Sequence, residues 1–197
     1  MILALTGAGI SRASGIPTFL EMPELRQVLD RQFKRKHQEK FQDAILKMLD
    51  TCDKSKPNDA HMVLAEYSIP VITMNIDNLH RLALEEVGES KDRVDKLITE
   101  VHGNLYRNNI VLYGDQAPMY ERAEYLVRRL CKGDKFIIVG TSYYTAIASK
   151  LRSIAEKAGA DIIEVNDRAE DTLRCIVEKH RESLGDIEEY LKREIKF

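Results

Sequence analysis

Four short, largely apolar runs constrain the architecture of this chain more than any other feature. Residues 2–6 (ILALT), 69–73 (IPVIT) and 135–139 (KFIIV) are too short for helices and too continuously apolar for strands with one wet face, and 161–165 (DIIEV), interrupted by Asp161 and Glu164, reads as a further strand. Runs of this kind read as strands covered on both sides, as in a parallel sheet. Helical patterns lie between them, and alternating strand and helix implies a parallel sheet with helices on both faces. Small or polar residues follow each run: Gly7-Ala8-Gly9-Ile10-Ser11, Met74-Asn75-Ile76-Asp77, Gly140-Thr141-Ser142 and Asn166-Asp167. Ligands of open α/β sheets bind at the carboxyl ends of the strands, so these clusters point to one shared crevice.

The remaining elements are expected as follows. Helices fall over 59–67 with Asn58 as N-cap, over 77–87, over 120–131 with Leu126, Val127 and Leu130 inward, over 145–158 ended by Gly159, and over 184–195. Further short strands are expected over 96–101, 110–113 and 172–177. A helical insertion occupies about 21–56. Pro23 sits in its first turn, Leu25, Val28 and Leu29 fall on one face, Phe41, Ile45, Met48 and Leu49 mark a second helix, and the whole is expected to lie over the ligand site.

The 197 residues fit one α/β domain spanning 1–197 and can bury a proper core. Net charge is −2, which provides no global basic field for nucleic acid. The local basic stretch 31–40 (RQFKRKHQEK) reads as the solvated face of a helix, because Asp30 and Glu39 interrupt it. No run reaches the ~18 apolar residues that a membrane span needs. The sequence opens in a core strand rather than a signal peptide, so a cytoplasmic setting is expected. Cys52, Cys131 and Cys175 lie far apart and form neither a disulfide framework nor a CxxC pair.

Several residues carry chemistry on their own account. Gly7 and Gly9 allow a tight turn and close approach of a ligand, and amides in such a turn form a nest for a pyrophosphate. His102, next to Gly103, titrates near pH ~6.5 when unperturbed and so can take a proton at neutral pH. Asn75 both donates and accepts. Asp77 reads equally as a ligand acceptor or as the Asx-turn cap of the following helix, and Thr141, Ser142 and Asn166 as ligand contacts or ordinary turn residues. His61 and His80 sit on apolar helical patterns and read as core histidines bonded to backbone, while His37 and His180 read as surface.

Taken in order, GAGIS (7–11), SGIP (14–17), PNDAHMVL (57–64), TMNIDNLH (73–80), VHGN (101–104), VLYGD (111–115), FIIVGTS (136–142) and IIEVND (162–167) resemble the sirtuin (Sir2) family, from Ile2 to about Leu184. The resemblance implies a Rossmann-like parallel sheet and an NAD-dependent protein-lysine deacylase. Such an enzyme cleaves NAD to nicotinamide and passes the acyl group of an acylated lysine peptide or protein to ADP-ribose. It implies His102 as base, and Asn75 and Asp77 at the ribose and the nicotinamide carboxamide. It places NAD against Gly7, Ala8, Gly9, Ser11, Pro17, Phe19, Asn75, Ile76, Asp77, Gly140, Thr141, Ser142 and Asn166, with the Phe19 ring shielding the reactive sugar face. Val111, Tyr113 and Gly114 then belong to a strand that pairs with the substrate peptide. No membrane or nucleic-acid partner is implied.

The chain also departs from the family pattern. The family's zinc ribbon, with its two CxxC pairs, normally sits between the HG and FGE-like motifs. Here only Asn104 to Asn109 fill that gap, without Cys or His, so no zinc-binding subdomain is expected. Leu20 stands where the family carries an arginine, with Arg12 and Arg26 as substitutes, and Met74 stands where it carries a glutamine. Two alternatives compete with the deacylase: an NAD glycohydrolase or ADP-ribosyl transferase of the Sir2-like type, and a non-catalytic nucleotide-binding module.

Overall fold

The computed structural model describes residues 1–18, 20–142 and 146–185. Five strands, β1 (Ile2–Thr6), β2 (Val71–Thr73), β3 (Ile98–Glu100), β4 (Lys135–Val139) and β5 (Asp161–Val165), form one parallel sheet in the order β3-β2-β1-β4-β5. The central strand β1 pairs with β4 along its whole length, from Ile2 opposite Lys135 to Thr6 opposite Val139, and with β2 from Ala4 opposite Val71. All five β1 residues are buried because both edges and both faces are covered.

Alternate strand residues serve opposite faces. Ile2 and Ala4, with Val71, Ile98, Ile137 and Val139, pack against helices α4 (Asp59–Glu66), α5 (Leu79–Glu86), α6 (Lys91–Leu97) and α9 (Ala169–Lys179). Leu3 and Leu5, with Ile72, Phe136 and Ile138, pack against α7 (Tyr120–Arg128) and α8 (Ala146–Ala158). The chain is thus an α/β protein with a Rossmann-like parallel sheet between two helical layers. Residues 23–53 add three helices beyond the ligand-binding ends of the strands: α1 (Pro23–Val28), α2 (Arg31–Lys36) and α3 (Gln38–Asp53). Leu29, Phe41 and Leu112 form a third, small core beneath them with Ile45, Met48, Ile76 and Ile110.

Local chemistry sets these boundaries. Asn58 caps α4: its Oδ1 accepts from Ala60 N at 3.1 Å, and the His61 ring accepts from the Asn58 amide. Asp30 caps α2 through the amides of Gln32 and Phe33. Ser90 caps α6, a helix that the sequence reading leaves out. That helix shortens the strand expected over 96–101 to Ile98–Glu100. The strand expected over 69–73 begins at Val71, after Pro70.

Two expectations fail outright. Residues 172–177 are helical, inside α9: Ala169, Leu173 and Val177 repeat every fourth position and are buried, whereas Cys175 between them is exposed. The helical period therefore wins over the apparent alternation. Residues 110–113 form no ladder, only one parallel bridge between Asp30 and Tyr113. The helix expected over 145–158 is described from Ala146, and the one expected over 184–195 lies outside the described residues apart from 184–185. Among the described residues no helix is long and apolar enough to cross a membrane.

Candidate active site

A cleft of about 450 Å³ opens where the carboxyl ends of β1, β2 and β3 face the helical insertion. Ala8, Ser11, Pro17, Asn75, Ile76, Asp77, His102, Val111, Tyr113 and Gly114 all line it. Gly7, Gly9, Gly140, Thr141, Ser142 and Asn166 do not. Thr141 is buried beside the cleft, Ser142 and Asn166 are exposed at the ends of β4 and β5, and Phe19 lies outside the described residues.

The glycines have a different task from the one the sequence suggests. The Gly7 amide donates to Val139 O and the Gly9 amide to Gly140 O, both at 2.9 Å. A Cβ on Gly9 would lie 2.7 Å from Gly140 Cα, and one on Gly140, whose φ is +59°, 2.4 Å from Ile10 N. The close approach is thus between two stretches of protein backbone. The amides of Gly7 and Gly9 are spent there and do not form a free anion nest. The short 3-10 helix Ala8–Ser14 that follows brings Ala8 and Ser11 to the cleft wall.

Ser11 is the hub of a buried polar network. Its hydroxyl donates to Asp77 Oδ2 at 2.7 Å and accepts from Asn75 Nδ2 at 3.2 Å. Asn75 Nδ2 also donates to Gly7 O at 3.1 Å, which leaves Oδ1 as the amide atom available to a ligand. Asp77 Oδ1 accepts from the Leu79 amide at 3.0 Å, an Asx turn that leads into α5 while Asp77 faces the cleft; the N-cap position itself is Asn78. Burial raises the Asp77 carboxyl above the usual carboxylate range, against the lowering effect of these donors. Behind it lie His61 and His80, with ring centroids 4.8 Å apart. Both are buried as expected, but their partners are mainly side chains: His80 Nε2 meets Thr6 Oγ1 at 2.8 Å, and His61 Nε2 lies 3.5 Å from Ser11 Oγ. Burial holds both rings neutral, His80 down to about 3.

His102 follows β3 and lines the cleft, and burial lowers its pKa below that of a free imidazole. Its neutral form is therefore the resting form at pH 7. The backbone beside it is fixed on both sides: Val111 N donates to His102 O at 2.9 Å, and Leu105 N to Ile76 O at 3.0 Å. The loop 103–109 between them is tight. Gly103 has φ +74°, and a Cβ there would meet Asn109 O at 2.1 Å. Buried Asn104 donates to Glu100 Oε1 at 2.6 Å and to Asn78 Oδ1 at 2.8 Å, and Glu100 also accepts from Arg81 Nε at 3.0 Å. Tyr106 Oη donates to Asp53 at 2.6 Å, which ties the loop to the end of α3. Among the described residues no group of three or more His, Cys, Asp or Glu is placed to hold a metal ion.

On the insertion side, Tyr113 N donates to Leu29 O at 2.8 Å and Tyr113 O accepts from Arg31 N at 3.1 Å. The backbone of Val111 and Tyr113 is thus turned into the protein; on the alternate edge Leu112 O accepts from the Asp115 amide at 2.9 Å, and the amides of Leu112 and Gly114 take no part in a ladder. Leu20 is exposed. Of its two expected substitutes, Arg12 is paired with Glu21 at 2.8 Å, whereas Arg26 lines the cleft with its guanidinium 5.4 Å from the Tyr113 ring centroid. The sequence reading does not single out Cys52, which lines the cleft from α3 and whose thiol is pushed up to about 12 by burial and by Asp77 and Asp53. The signal was present: Phe41, Ile45, Met48 and Cys52 continue one helical stripe.

A sequence model described as the Sir2 family matches residues 7–108, more than half of the chain and most of the cleft. The chain belongs to the Sir2 family. This Sir2 chain is 31% identical to an NAD-dependent protein deacetylase of Thermodesulfovibrio yellowstonii, over 83% of the chain and 78% of that protein. It is 30% identical to an NAD-dependent protein deacylase of Pyrococcus furiosus, over 84% and 81%. A crystal structure of a Sir2 protein with an inhibitor, 2′-O-acetyl-ADP-ribose and a deacetylated p53 peptide superposes with a TM-score of 0.69 at 26% identity, covering 91% of this chain and 93% of that one.

Proposed function

We propose that this Sir2 chain is an NAD-dependent protein-lysine deacylase that needs no structural zinc. The observation that carries the reading is the company His102 keeps. One cleft holds a neutral imidazole, the Ser11-fixed pair Asn75 and Asp77, and a backbone segment, 111–114, whose Leu112 and Gly114 amides take no part in a ladder. Relatives bearing the deacetylase and deacylase names align over more than four-fifths of the chain, and the related structure holds the acetylated product and a peptide.

The donor set fits NAD. Ala8, Ser11 and Pro17 would flank it at the first turn, Asn75, Ile76 and Asp77 at the nicotinamide end, and Gly140, Thr141, Ser142 and Asn166 along the ends of β4 and β5. Bound NAD supplies a labile nicotinamide–ribose bond and the sugar that accepts the acyl group. The chain's part is positioning and proton transfer. Asn75 offers Oδ1 to a hydroxyl because both its amide hydrogens are held, and Asp77 offers carboxylate oxygens to an amide. His102, neutral at rest, takes a hydroxyl proton at a ring nitrogen. The amides of Leu112 and Gly114 align the acyl-lysine by strand addition. A reducing, cytoplasmic setting suits the free thiols of Cys52, Cys131 and Cys175.

The test is nicotinamide release from NAD, with and without an acetyl-lysine peptide. Peptide-dependent release, with acyl transfer lost in His102→Ala by ~10²–10⁴-fold, is the expected outcome. NAD consumption at full rate without peptide, together with no deacylation across short and long acyl chains, would make the chain a glycohydrolase instead.

A further inference from the structure

Beside the cleft a second groove runs over the helical insertion, lined by Arg26, Asp30, Phe33, Lys36, His37 and Tyr113. Arg26 and Tyr113 also line the cleft, so the two depressions meet at the Arg26–Tyr113 pair. Tyr113 belongs to the segment proposed to align the substrate. A peptide running along the Leu112–Gly114 edge therefore leaves the cleft beside this groove.

The groove is lined by two cations, Arg26 and Lys36, and one carboxylate, Asp30, and the segment around it is positive. Residues 26–40 hold six Lys or Arg and two Asp or Glu, in a chain whose net charge is −2. The one carboxylate lining the groove is engaged, since Asp30 accepts from the amides of Gln32 and Phe33 at 2.8 and 3.0 Å. Arg31 is neutralised by Asp115. Lys34 leans over the Phe41 ring. Among the described residues, Arg26, Arg35, Lys36 and Lys40 have no carboxylate partner. Arg26, held over Tyr113, presents a planar fork suited to a carboxylate.

We propose that the protein substrates of this site carry Asp or Glu close to the acyl-lysine, and that the groove between α1 and α2 reads them. The proposal rests on the deacylase reading and adds the substrate class. Recognition of this kind acts through KM and the association rate, with little effect on the chemical step.

The test uses acetyl-lysine peptides of one length that differ only in having acidic, alanine or lysine residues on the N-terminal or the C-terminal side. Steady-state turnover and fluorescence anisotropy are measured for each. On one side of the acyl-lysine, each acidic residue should lower KM by about two- to fivefold at low salt, with kcat unchanged and the gain shrinking as salt shortens the Debye length below about 10 Å. Arg35→Glu and Lys36→Glu, both on the exposed helix α2, should reverse the order of the peptides. Equal KM and equal affinity across the series, or an order that the reversals leave unchanged, overturns the proposal while leaving the deacylase reading intact. A short DNA duplex that binds as tightly as the acidic peptide, and is lost in the same variants, also overturns it, since the groove would then be a general polyanion surface. Absence of both turnover and binding with every peptide overturns the deacylase reading itself.

Discussion

The buried histidine pair makes acid the condition under which this fold should fail first. His80 is held to about 3 in the folded protein by burial, against 6.5 for a free imidazole. Below pH 6.5 the unfolded chain takes up a proton that the folded chain rejects, so stability declines as pH falls, by ~1.4 kcal/mol per pH unit for one such group. Integrated from pH 7.5 to pH 5, His80 alone costs about 2 kcal/mol. His61 adds a loss of the same sign, since burial and the neighbouring His80 hold it well below 6.5, and His102 adds another. Asp77 opposes them: its raised carboxyl binds a proton earlier in the folded than in the unfolded state. Asp95, Asp134 and Asp161, lowered by their partners, contribute losses only as pH falls below about 3.8, outside this window. A domain of ordinary stability, ~5–15 kcal/mol, would lose a substantial part of it. Urea titrations at a series of pH values from 7.5 to 5 should show the midpoint falling steadily at constant m. His80→Gln should be less stable at pH 7.5 yet lose about 1.4 kcal/mol less per pH unit. A midpoint indifferent to pH, or a variant slope equal to that of the parent, would refute the reasoning.

Three further outcomes are expected. Gly9→Ala should lower stability by about 1–3 kcal/mol in thermal unfolding, because its Cβ would press on Gly140 Cα at 2.7 Å; a variant as stable as the parent but unable to bind NAD would return the glycine to a purely ligand-facing role. Asn104→Ala should cost about 1–3 kcal/mol by leaving Asn78 Oδ1 without this donor and Glu100 with Arg81 but without the Asn104 amide, and should lower kcat/KM by displacing the backbone beside His102, read from urea unfolding and peptide turnover together. A chelator should leave the melting temperature unchanged, and one equivalent of zinc lost together with the fold would show that metal holds it together.

The sequence is most readable where one physical signal acts alone. β1 and β4 match their expected bounds because their short, largely apolar runs leave no competing period, and β5 (DIIEV) matches its bounds although Asp161 and Glu164 interrupt its apolar residues. Asn58 is an N-cap as read, because its Oδ1 meets the free amides of α4, while its Nδ2 bonds Ile10 O and Ser14 Oγ, which the sequence does not announce. Legibility ends where a residue's role is decided by a distant segment. Gly9 looks ligand-facing until Gly140 is placed against it, and nothing local to GAGIS announces that partner. Tyr113 looks like a free strand until Asp30 bridges to it. In 172–177 the alternation of Leu173, Cys175 and Val177 competes with the period through Ala169, and only packing on the sheet decides between them. Ten of the expected site residues line one cleft because strand ends converge by topology, while the walls contributed by α1 and α3 depend on how the insertion folds back.

The placement of β1 has a consequence for how the protein must be made. β1 sits at the middle of the sheet, yet its neighbour β4 begins only at Lys135. During synthesis the N-terminal segment through residue 108 can pair β1 with β2 and β2 with β3, but one edge of its most apolar strand stays open, and the Gly7–Gly9 turn has no Gly140 to close against. Such an edge is a template for the wrong partner. A ribosome-released fragment ending before β4 should therefore aggregate or be held by chaperones, and the nucleotide site should come into being only as the chain passes Gly140.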